Sequence, residues 1–217
     1  MLNAILLSTS ALLLMGLLLA EKKGKPVWIL VFKTPLSVLF VVAAVLQPHP
    51  CLFYYYLVLL GLACGVVGDV CLAVPRDGTF KAGLAVFLAG HLFYAAAFVG
   101  LTRPWDWVNG GNILILVAAG CVWWWLLPYV GRMLVPVTAY IVVISIMLAA
   151  AWAAFLDPYI PRAGAWTLLL GALCFYLSDV FVAGHRFIAR RYLYRLLGLP
   201  LYYAGQFLLA FSVGLIM

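Results

Sequence analysis

Charged residues are scarce in this chain. Asp, Glu, Lys and Arg together make up 9% of its 217 residues, and only six residues are acidic. An average soluble domain carries roughly 25% charged residues. With 68% hydrophobic residues, the chain has too few polar side chains to cover a surface in water. The composition excludes a soluble fold and predicts an all-α, polytopic membrane protein.

Patterned cysteines are also missing. The five cysteines form no CxxC pair and have no histidine-rich partner cluster, so we expect no metal site, no disulfide framework and no cofactor. A basic region before the first apolar run is lacking too. We therefore expect that run to be a retained helix rather than a cleaved signal peptide.

Long apolar runs dominate instead. Eight of them have about the 20-residue length that crosses a bilayer. They cover residues 3–20, 27–47, 54–74, 81–101, 112–130, 133–155, 165–184 and 197–217. We expect these runs to be eight transmembrane helices in a single domain over residues 1–217.

The basic residues lie unevenly in the connecting loops. One set of loops holds Arg103 and Arg162, and the other holds Lys22, Lys23, Lys25, Arg76, Lys81, Arg132, Arg186, Arg190, Arg191 and Arg195. Since cytosolic loops are enriched in Lys and Arg, the second set is predicted to be cytosolic and both termini luminal or external. Basic residues in short loops are topology signals, so no nucleic-acid partner is expected.

Two of the six acids fall inside apolar runs. Asp69 follows Gly61, Gly65 and Gly68, and Asp179 follows a similar stretch that begins at Gly171. A charge within the bilayer costs several kcal/mol, about 3 on insertion scales, so an intramembrane acid marks a functional site by default. A purely structural pairing with Lys33 is the alternative, but two structural acids at matched positions would be an expensive way to hold helices together.

The two acids suggest an internal repeat. Gly68-Asp69 matches Ser178-Asp179 at an offset of 110, and Gly90-His91 matches Gly205-Gln206 at an offset of 115. Pro35 and Pro136 are a further candidate match. Four helices in each half would give parallel repeats over residues 1–101 and 112–217, although apolar sequences also match by chance.

Other polar side chains fall at a similar depth. Lys33, His91, Tyr94, Tyr203 and Gln206 converge with the acids on the basic half of the bundle, which predicts a polar cavity there. Lys33 could instead reach the interface with its ammonium, and His91 or Gln206 could serve only as hydrogen-bonding links between helices.

The densest basic cluster is Arg186, Arg190, Arg191 and Arg195. Arg186, Arg190 and Arg191 are candidates for holding a phosphate head group at the mouth of the cavity. A plain topology signal is the alternative explanation for the cluster.

At these residues the chain resembles the YhhN-like lysoplasmalogenase family of membrane proteins. The matching features are Gly68-Asp69, Gly90-His91 with Tyr94, Ser178-Asp179, Tyr203 with Gln206, and Lys33 with Pro35. The resemblance implies an ether hydrolase that cleaves the vinyl-ether bond of lysoplasmenylcholine or lysoplasmenylethanolamine. The products would be a fatty aldehyde and a glycerophospho-choline or -ethanolamine. It also implies an endoplasmic reticulum membrane, or the inner membrane in a bacterium.

Vinyl ethers hydrolyse once a proton reaches their β-carbon, because water then captures the resulting oxocarbenium ion. Glycosidases use two carboxylates for a similar transition state. We therefore expect Asp69 and Asp179 to be the catalytic pair, one carrying the proton and the other ionised. Lys33, His91 and Gln206 would tune the pair or orient water and the lysophospholipid substrate.

Three other functions remain open at this point. Buried acids in parallel repeats also suit a lipid or proton-coupled transporter. An intramembrane aspartyl protease is disfavoured, because Val66-Val67-Gly68 precedes Asp69 where such enzymes have Gly-x-Gly-Asp. A non-enzymatic lipid-binding protein is the third. The sequence leaves the oligomeric state undetermined.

Overall fold

A computed structural model describes residues 1–74 and 76–216 of the chain. The α-helices in these residues are α1 (Leu2–Lys22), α2 (Pro26–Val45), α3 (Leu52–Ala73), α4 (Asp77–Val99), α5 (Gly110–Val130), α6 (Leu134–Leu156), α7 (Arg162–Ala183) and α8 (Tyr192–Ser212). Short 3₁₀ turns cover Pro104–Trp107 and Gly131–Met133, and a π-helical turn covers Gly184–Ile188 (the π-turn). None of the described residues lies in a strand, which confirms the predicted all-α fold.

Six helical stretches are long and apolar enough to cross a membrane. They are Leu2–Lys22, Pro26–Val45, Leu52–Ala73, Asp77–Val99, Gly110–Leu156 and Arg162–Ile188. The fifth stretch contains both α5 and α6, and α8 is not among the six. An integral membrane protein is thus indicated, while the count of eight spans stays a prediction.

The helix boundaries follow local sequence signals. Gly24 adopts φ 58° just after α1 ends, a conformation that glycine takes at little cost. Pro26 then begins α2, at the helix position where its missing N–H is not needed. Asn109 caps α5 by accepting a hydrogen bond from the N–H of Asn112 at 2.9 Å. The predicted segments agree with these helices to within a few residues, except that α8 begins and ends five residues before the predicted segment 197–217.

Two helix pairs pack closely through glycine. A Cβ added at Gly90 on α4 would lie 3.2 Å from the carbonyl oxygen of Gly61 on α3. A Cβ added at Gly205 on α8 would lie 3.0 Å from the carbonyl oxygen of Gly171 on α7 and 3.1 Å from the nitrogen of Phe175. Small residues at such crossings let two backbones come together in a membrane.

The two pairs are joined by the remaining helices. Helix α2 packs against α3 and α8, and α4 packs against α6, which in turn packs against α7.

Asp69 and Asp179 both lie four residues before the end of their helix, so each sits about 6 Å below it at a rise of ~1.5 Å per residue. Both acids therefore face the interior near the end of the bundle that carries the basic loops (the basic end).

The α7–α8 crossing gives a test of this packing. We expect Gly205→Ala to lower the thermal unfolding temperature in detergent, since its methyl would meet backbone atoms that have no room to retreat. Overpacking of this kind costs about 1–3 kcal/mol.

Gly120→Ala on α5 is the matched control, because nothing lies within 4 Å of a Cβ at that position. Replacing a helix-interior glycine by alanine gains up to about 1 kcal/mol. Equal unfolding temperatures for the two variants would show that α7 and α8 do not meet as described.

Candidate active site

Asp69 is completely enclosed by hydrogen-bond donors. Its Oδ1 lies 2.9 Å from Nζ of Lys33, and its Oδ2 accepts from Ser37 Oγ at 2.6 Å and from Tyr202 Oη at 2.7 Å. Only 2% of the Asp69 side chain and 4% of the Lys33 side chain are exposed. The charge on this carboxylate is therefore fully compensated inside the bundle.

These donors come from two helices that face α3. Lys33 and Ser37 are one turn apart on α2, which places both on the same helix face. Tyr202 lies one turn before Gln206 on α8, whose Nε2 donates to Tyr202 Oη at 3.0 Å. The network thus ties α2, α3 and α8 together at the depth of Asp69.

The network continues away from Asp69 in two directions. Tyr94 Oη on α4 donates to Gln206 Oε1 at 2.7 Å. Tyr203 Oη lies 3.2 Å from Ser37 Oγ, and it is the donor when Ser37 gives its single proton to Asp69. Tyr94, Tyr203 and Gln206 are all buried, so the three predicted polar residues belong to the surroundings of Asp69.

Asp179 has a different environment. Its Oδ2 accepts from Tyr140 Oη on α6 at 2.9 Å and lies 3.4 Å from Nε2 of His91 on α4. The Asp179 side chain is 17% exposed. No Lys or Arg pairs with it among the described residues, so any charge on Asp179 would lack a fixed cation.

The tautomer of His91 follows from its other contact. His91 Nδ1 lies 2.7 Å from the carbonyl oxygen of Phe87, and because a carbonyl only accepts, Nδ1 carries a proton. In the neutral ring Nε2 then presents a lone pair, and it has no hydrogen-bond partner among the described residues. A lone pair facing a carboxylate oxygen at 3.4 Å is favourable only when one of the two groups carries a proton.

Both acids line one cavity (the apolar cavity). Most of its lining is hydrophobic, contributed by α4, α5, α6, α7 and α8, and Lys33, Tyr140 and Tyr202 line it beside the acids. Because most of its lining is apolar, the cavity suits an aliphatic ligand rather than a polar one.

A second, more polar cavity adjoins it at the basic end (the polar vestibule). Its charged lining residues are Glu21, Arg76, Asp77, Arg186, Arg190 and Arg195, with His185. His185, Arg186 and Arg195 also line the apolar cavity. Arg186 donates to Asp77 at 2.8 Å, and its guanidinium lies 4.1 Å from the ring centroid of Phe80. The vestibule therefore leads from the basic loops to the acids.

The structure brings most of the predicted residues together. Lys33 pairs with Asp69, so the alternative in which its ammonium reaches the interface does not hold. Asp69 and Asp179 line the same cavity, yet within the described residues they share no hydrogen-bond partner. Arg186 and Arg190 line the polar vestibule, whereas Arg191 lines neither cavity.

Three residues that contact the acids escape prediction from the sequence. Ser37 and Tyr202 lie one turn from Lys33 and Gln206, and helical spacing could have found them. Tyr140 on α6 has no such neighbour. Pro136, the candidate match of Pro35, lies in the first turn of α6, while Pro35 lies in the middle of α2. These two prolines are at different depths, so that match gives no guide to Tyr140.

A metal-binding group is not found in the described part of the chain, where no three His, Cys, Asp or Glu side chains lie suitably together.

Several curated proteins that are similar to this chain carry the name lysoplasmalogenase. Lysoplasmalogenase TMEM86B of Sus scrofa is 34% identical over 155 residues, covering 70% of this chain and 61% of that protein. Lysoplasmalogenase of Mycobacterium bovis is 34% identical over 166 residues, covering 72% of this chain and 59% of that protein. Lysoplasmalogenase TMEM86A of Bos taurus is 31% identical over 160 residues, covering 71% and 64%.

The chain spans about 60% of the length of the curated relatives it matches first. No solved structure matches it significantly. The model of the YhhN family matches residues 28–213, which include every residue that contacts Asp69 or Asp179. This chain belongs to the YhhN family.

Proposed function

We propose that this protein is a lysoplasmalogenase, an ether hydrolase that releases a fatty aldehyde from the vinyl-ether chain of a lysoplasmalogen. The observation that carries the proposal is that Asp179 lines the apolar cavity and also contacts His91, which is buried beside it. A carboxyl group without a cationic partner among the described residues thus lies between an imidazole nitrogen and space for an aliphatic chain. The printed names of the relatives support the same chemistry.

Asp179 is the proton donor in this scheme. A proton held between Asp179 and His91 passes to the β-carbon of the vinyl ether, and the adjacent carbon becomes an oxocarbenium ion. Tyr140 donates to Asp179 Oδ2 and so stabilises the carboxylate that remains. General acid catalysis by one positioned group typically contributes about 10²–10⁴-fold in rate.

Water completes the reaction. It attacks the oxocarbenium carbon, and Asp179 takes up the proton that the water releases. The resulting hemiacetal collapses to the aldehyde and the free hydroxyl of the glycerol, so one water is consumed for each bond cleaved. Asp69 is paired with the ammonium of Lys33 and accepts from Ser37 and Tyr202, and it lines the cavity in which the positive charge develops.

The polar vestibule takes the glycerophospho head group. Arg186 and Arg190 line it, as expected of residues that bind phosphate, and Arg76 and Arg195 join them there. Arg195 Nε is buried and lies 3.7 Å from Glu21 Oε2, too far for a hydrogen bond, and it has no hydrogen-bond partner among the described residues. A phosphate oxygen would satisfy that donor.

The arrangement in the membrane is part of the proposal. Eight spans with a cytosolic basic end would place the head group at the cytosolic leaflet. A repeat of four helices is supported by the two glycine crossings. Gly61 and Gly171 differ by 110 residues, and Gly90 and Gly205 by 115, which are the offsets that relate Asp69 to Asp179 and His91 to Gln206.

The first test removes the proposed acid. Asp179→Asn is expected to lower the kcat of aldehyde release by about 10²–10⁴-fold, because an amide cannot deliver a proton to carbon. Purified protein in vesicles would be given lysoplasmenylethanolamine, with the ester-linked lysolipid as a substrate control.

Asp106→Asn is the matched variant, since Asp106 lies outside both cavities and only caps a 3₁₀ turn. It should keep wild-type turnover. A well-folded Asp179→Asn enzyme with near-normal turnover would contradict the assignment. If the wild type released no aldehyde but moved lipid or protons across the vesicle, the transporter would be the better hypothesis.

Asp69→Asn should act differently, because it leaves the ammonium of Lys33 buried without its counter-charge. We expect it to lower stability by about 3–5 kcal/mol as well as activity. The double change Asp69→Asn with Lys33→Met should recover much of the thermal stability without recovering turnover. Unchanged stability in the single variant would show that the ion pair does not hold α2 to α3.

The head-group site is tested by two adjacent arginines. Arg190→Gln should raise the KM for lysoplasmenylethanolamine about threefold to fivefold, the size expected for an exposed charge contact, with little change in kcat. Arg191→Gln is the matched control, as Arg191 lines neither cavity. Equal effects of the two changes would indicate a general surface potential in place of a site in the vestibule.

A further inference from the structure

Two helices that line the apolar cavity do not close against each other. Phe80, Leu84 and Phe87 face the cavity from α4, at spacings of four and three residues that make one helix face. Val122 and Leu126, four residues apart, face it from α5. Helix α5 packs against α6 and the π-turn, and its contact with α4 is at most marginal. A gap lined by apolar side chains thus lies between α4 and α5.

The corresponding position in the other half of the proposed repeat is closed. There α1 stands where α5 would be and α8 where α4 would be, and α1 packs against α8. Tyr192 Oη donates to the carbonyl oxygen of Leu18 at 3.2 Å, and Arg195 Nε lies 3.7 Å from Glu21 Oε2. Leu17 on the same turn of α1 has no exposed surface. The two halves therefore differ at this seam.

The π-turn joins the two helices at the basic end. Its Arg186 is bonded to Asp77 at the start of α4, while its Phe187 packs into a cluster with Leu126 and Val130 of α5. The turn thus bridges the ends of α4 and α5, and the polar vestibule that adjoins the cavity at this end is lined by charged residues. An aliphatic chain in the cavity therefore has its apolar route between α4 and α5, on the side of the π-turn that faces away from the basic end.

We propose that the hydrocarbon chain of the substrate leaves the apolar cavity sideways, through the gap between α4 and α5, and continues into the bilayer. This inference rests on the proposed function, with the vinyl ether at Asp179 and the phosphate in the polar vestibule. Only the first part of the chain is then held by protein.

When the end of the hydrocarbon chain lies in the bilayer, the enzyme does not discriminate between substrates by their chain length. Each further methylene gains about 0.8 kcal/mol on leaving water, but it gains almost nothing when it moves from one part of a bilayer to another. The wild-type enzyme should consequently turn over vinyl ethers of different chain length at similar rates. A closed pocket would instead impose a sharp length limit.

The test places a bulky side chain in the gap. Leu84→Trp is expected to lower kcat/KM about tenfold for a lysoplasmalogen with a chain of about 18 carbons, and much less for one of about 8 carbons, whose chain hardly enters the gap. The wild type should show less than about a threefold difference between the two lengths at equal mole fraction in vesicles.

Leu92→Trp is the matched control on the same helix, because Leu92 is 53% exposed and outside the cavity lining. It should behave as the wild type at both lengths. Equal losses for both lengths in Leu84→Trp, or a steep length optimum in the wild type, would overturn the inference.

A second measurement does not depend on turnover. A 1-O-alkyl lysophosphoethanolamine with a diazirine in mid-chain resists hydrolysis and should crosslink to α4 and α5 near Leu84 and Val122. Leu84→Trp should reduce that crosslinking, and Leu92→Trp should not. Crosslinking here without aldehyde release by the wild type would retain the lateral gap and reject the hydrolase, whereas crosslinks confined to α1 and α8 would reject the gap itself.

Discussion

A carboxylate inside a hydrocarbon slab has to find its donors within the protein, because the bilayer core supplies no water to solvate it. Asp69 meets this requirement with Lys33, Ser37 and Tyr202. These partners come from α2 and α8, so satisfying one charge fixes how three helices pack. The glycine face of α3 is a consequence, since a Cβ at Gly65 would lie 2.6 Å from Gln206 Nε2. Small residues on α3 make room for the network that Asp69 needs.

Asp179 meets the same requirement only partly, and its chemistry follows from that difference. It has Tyr140 and His91 beside it, and no cation pairs with it among the described residues. In surroundings of low polarity such a group is stabilised by holding a proton instead of a charge. In the proposed mechanism this proton is the one that passes to the substrate in the cavity. The proposal thus assigns a structural role to the compensated Asp69 and a reactive role to Asp179.

The helices and both acids could be predicted from the sequence, because both signals are large. Long apolar runs fix helix positions to a few residues, and a charge inside such a run is costly enough to be conspicuous. The sequence gives only a weak signal for Tyr140, Ser37 and Tyr202, because a single hydroxyl in a membrane helix is common. Which hydroxyl meets an acid depends on helix rotation and depth. Neither is encoded in a pattern of hydrophobicity.

The basic residues show the same limit at the surface. Arg190 and Arg191 are neighbours in a basic cluster, and a charge count treats them alike. In the structure both lie between the end of the π-turn at Ile188 and the start of α8 at Tyr192, and only Arg190 lines the polar vestibule. Loop geometry, which composition does not determine, therefore decides which basic residue lines a cavity.

The two halves related by the proposed repeat differ at each part of the site. Lys33 on α2 pairs with Asp69, whereas no cation pairs with Asp179 among the described residues. Gln206 accepts from Tyr94 and donates to Tyr202, while Nε2 of His91 has no hydrogen-bond partner among the described residues. Helix α1 packs against α8, but the contact between α4 and α5 is at most marginal. Under the proposed mechanism these differences separate a structural acid from a reactive one. A symmetric bundle with both acids paired would then have no proton to give and no lateral opening through which a lipid chain could pass.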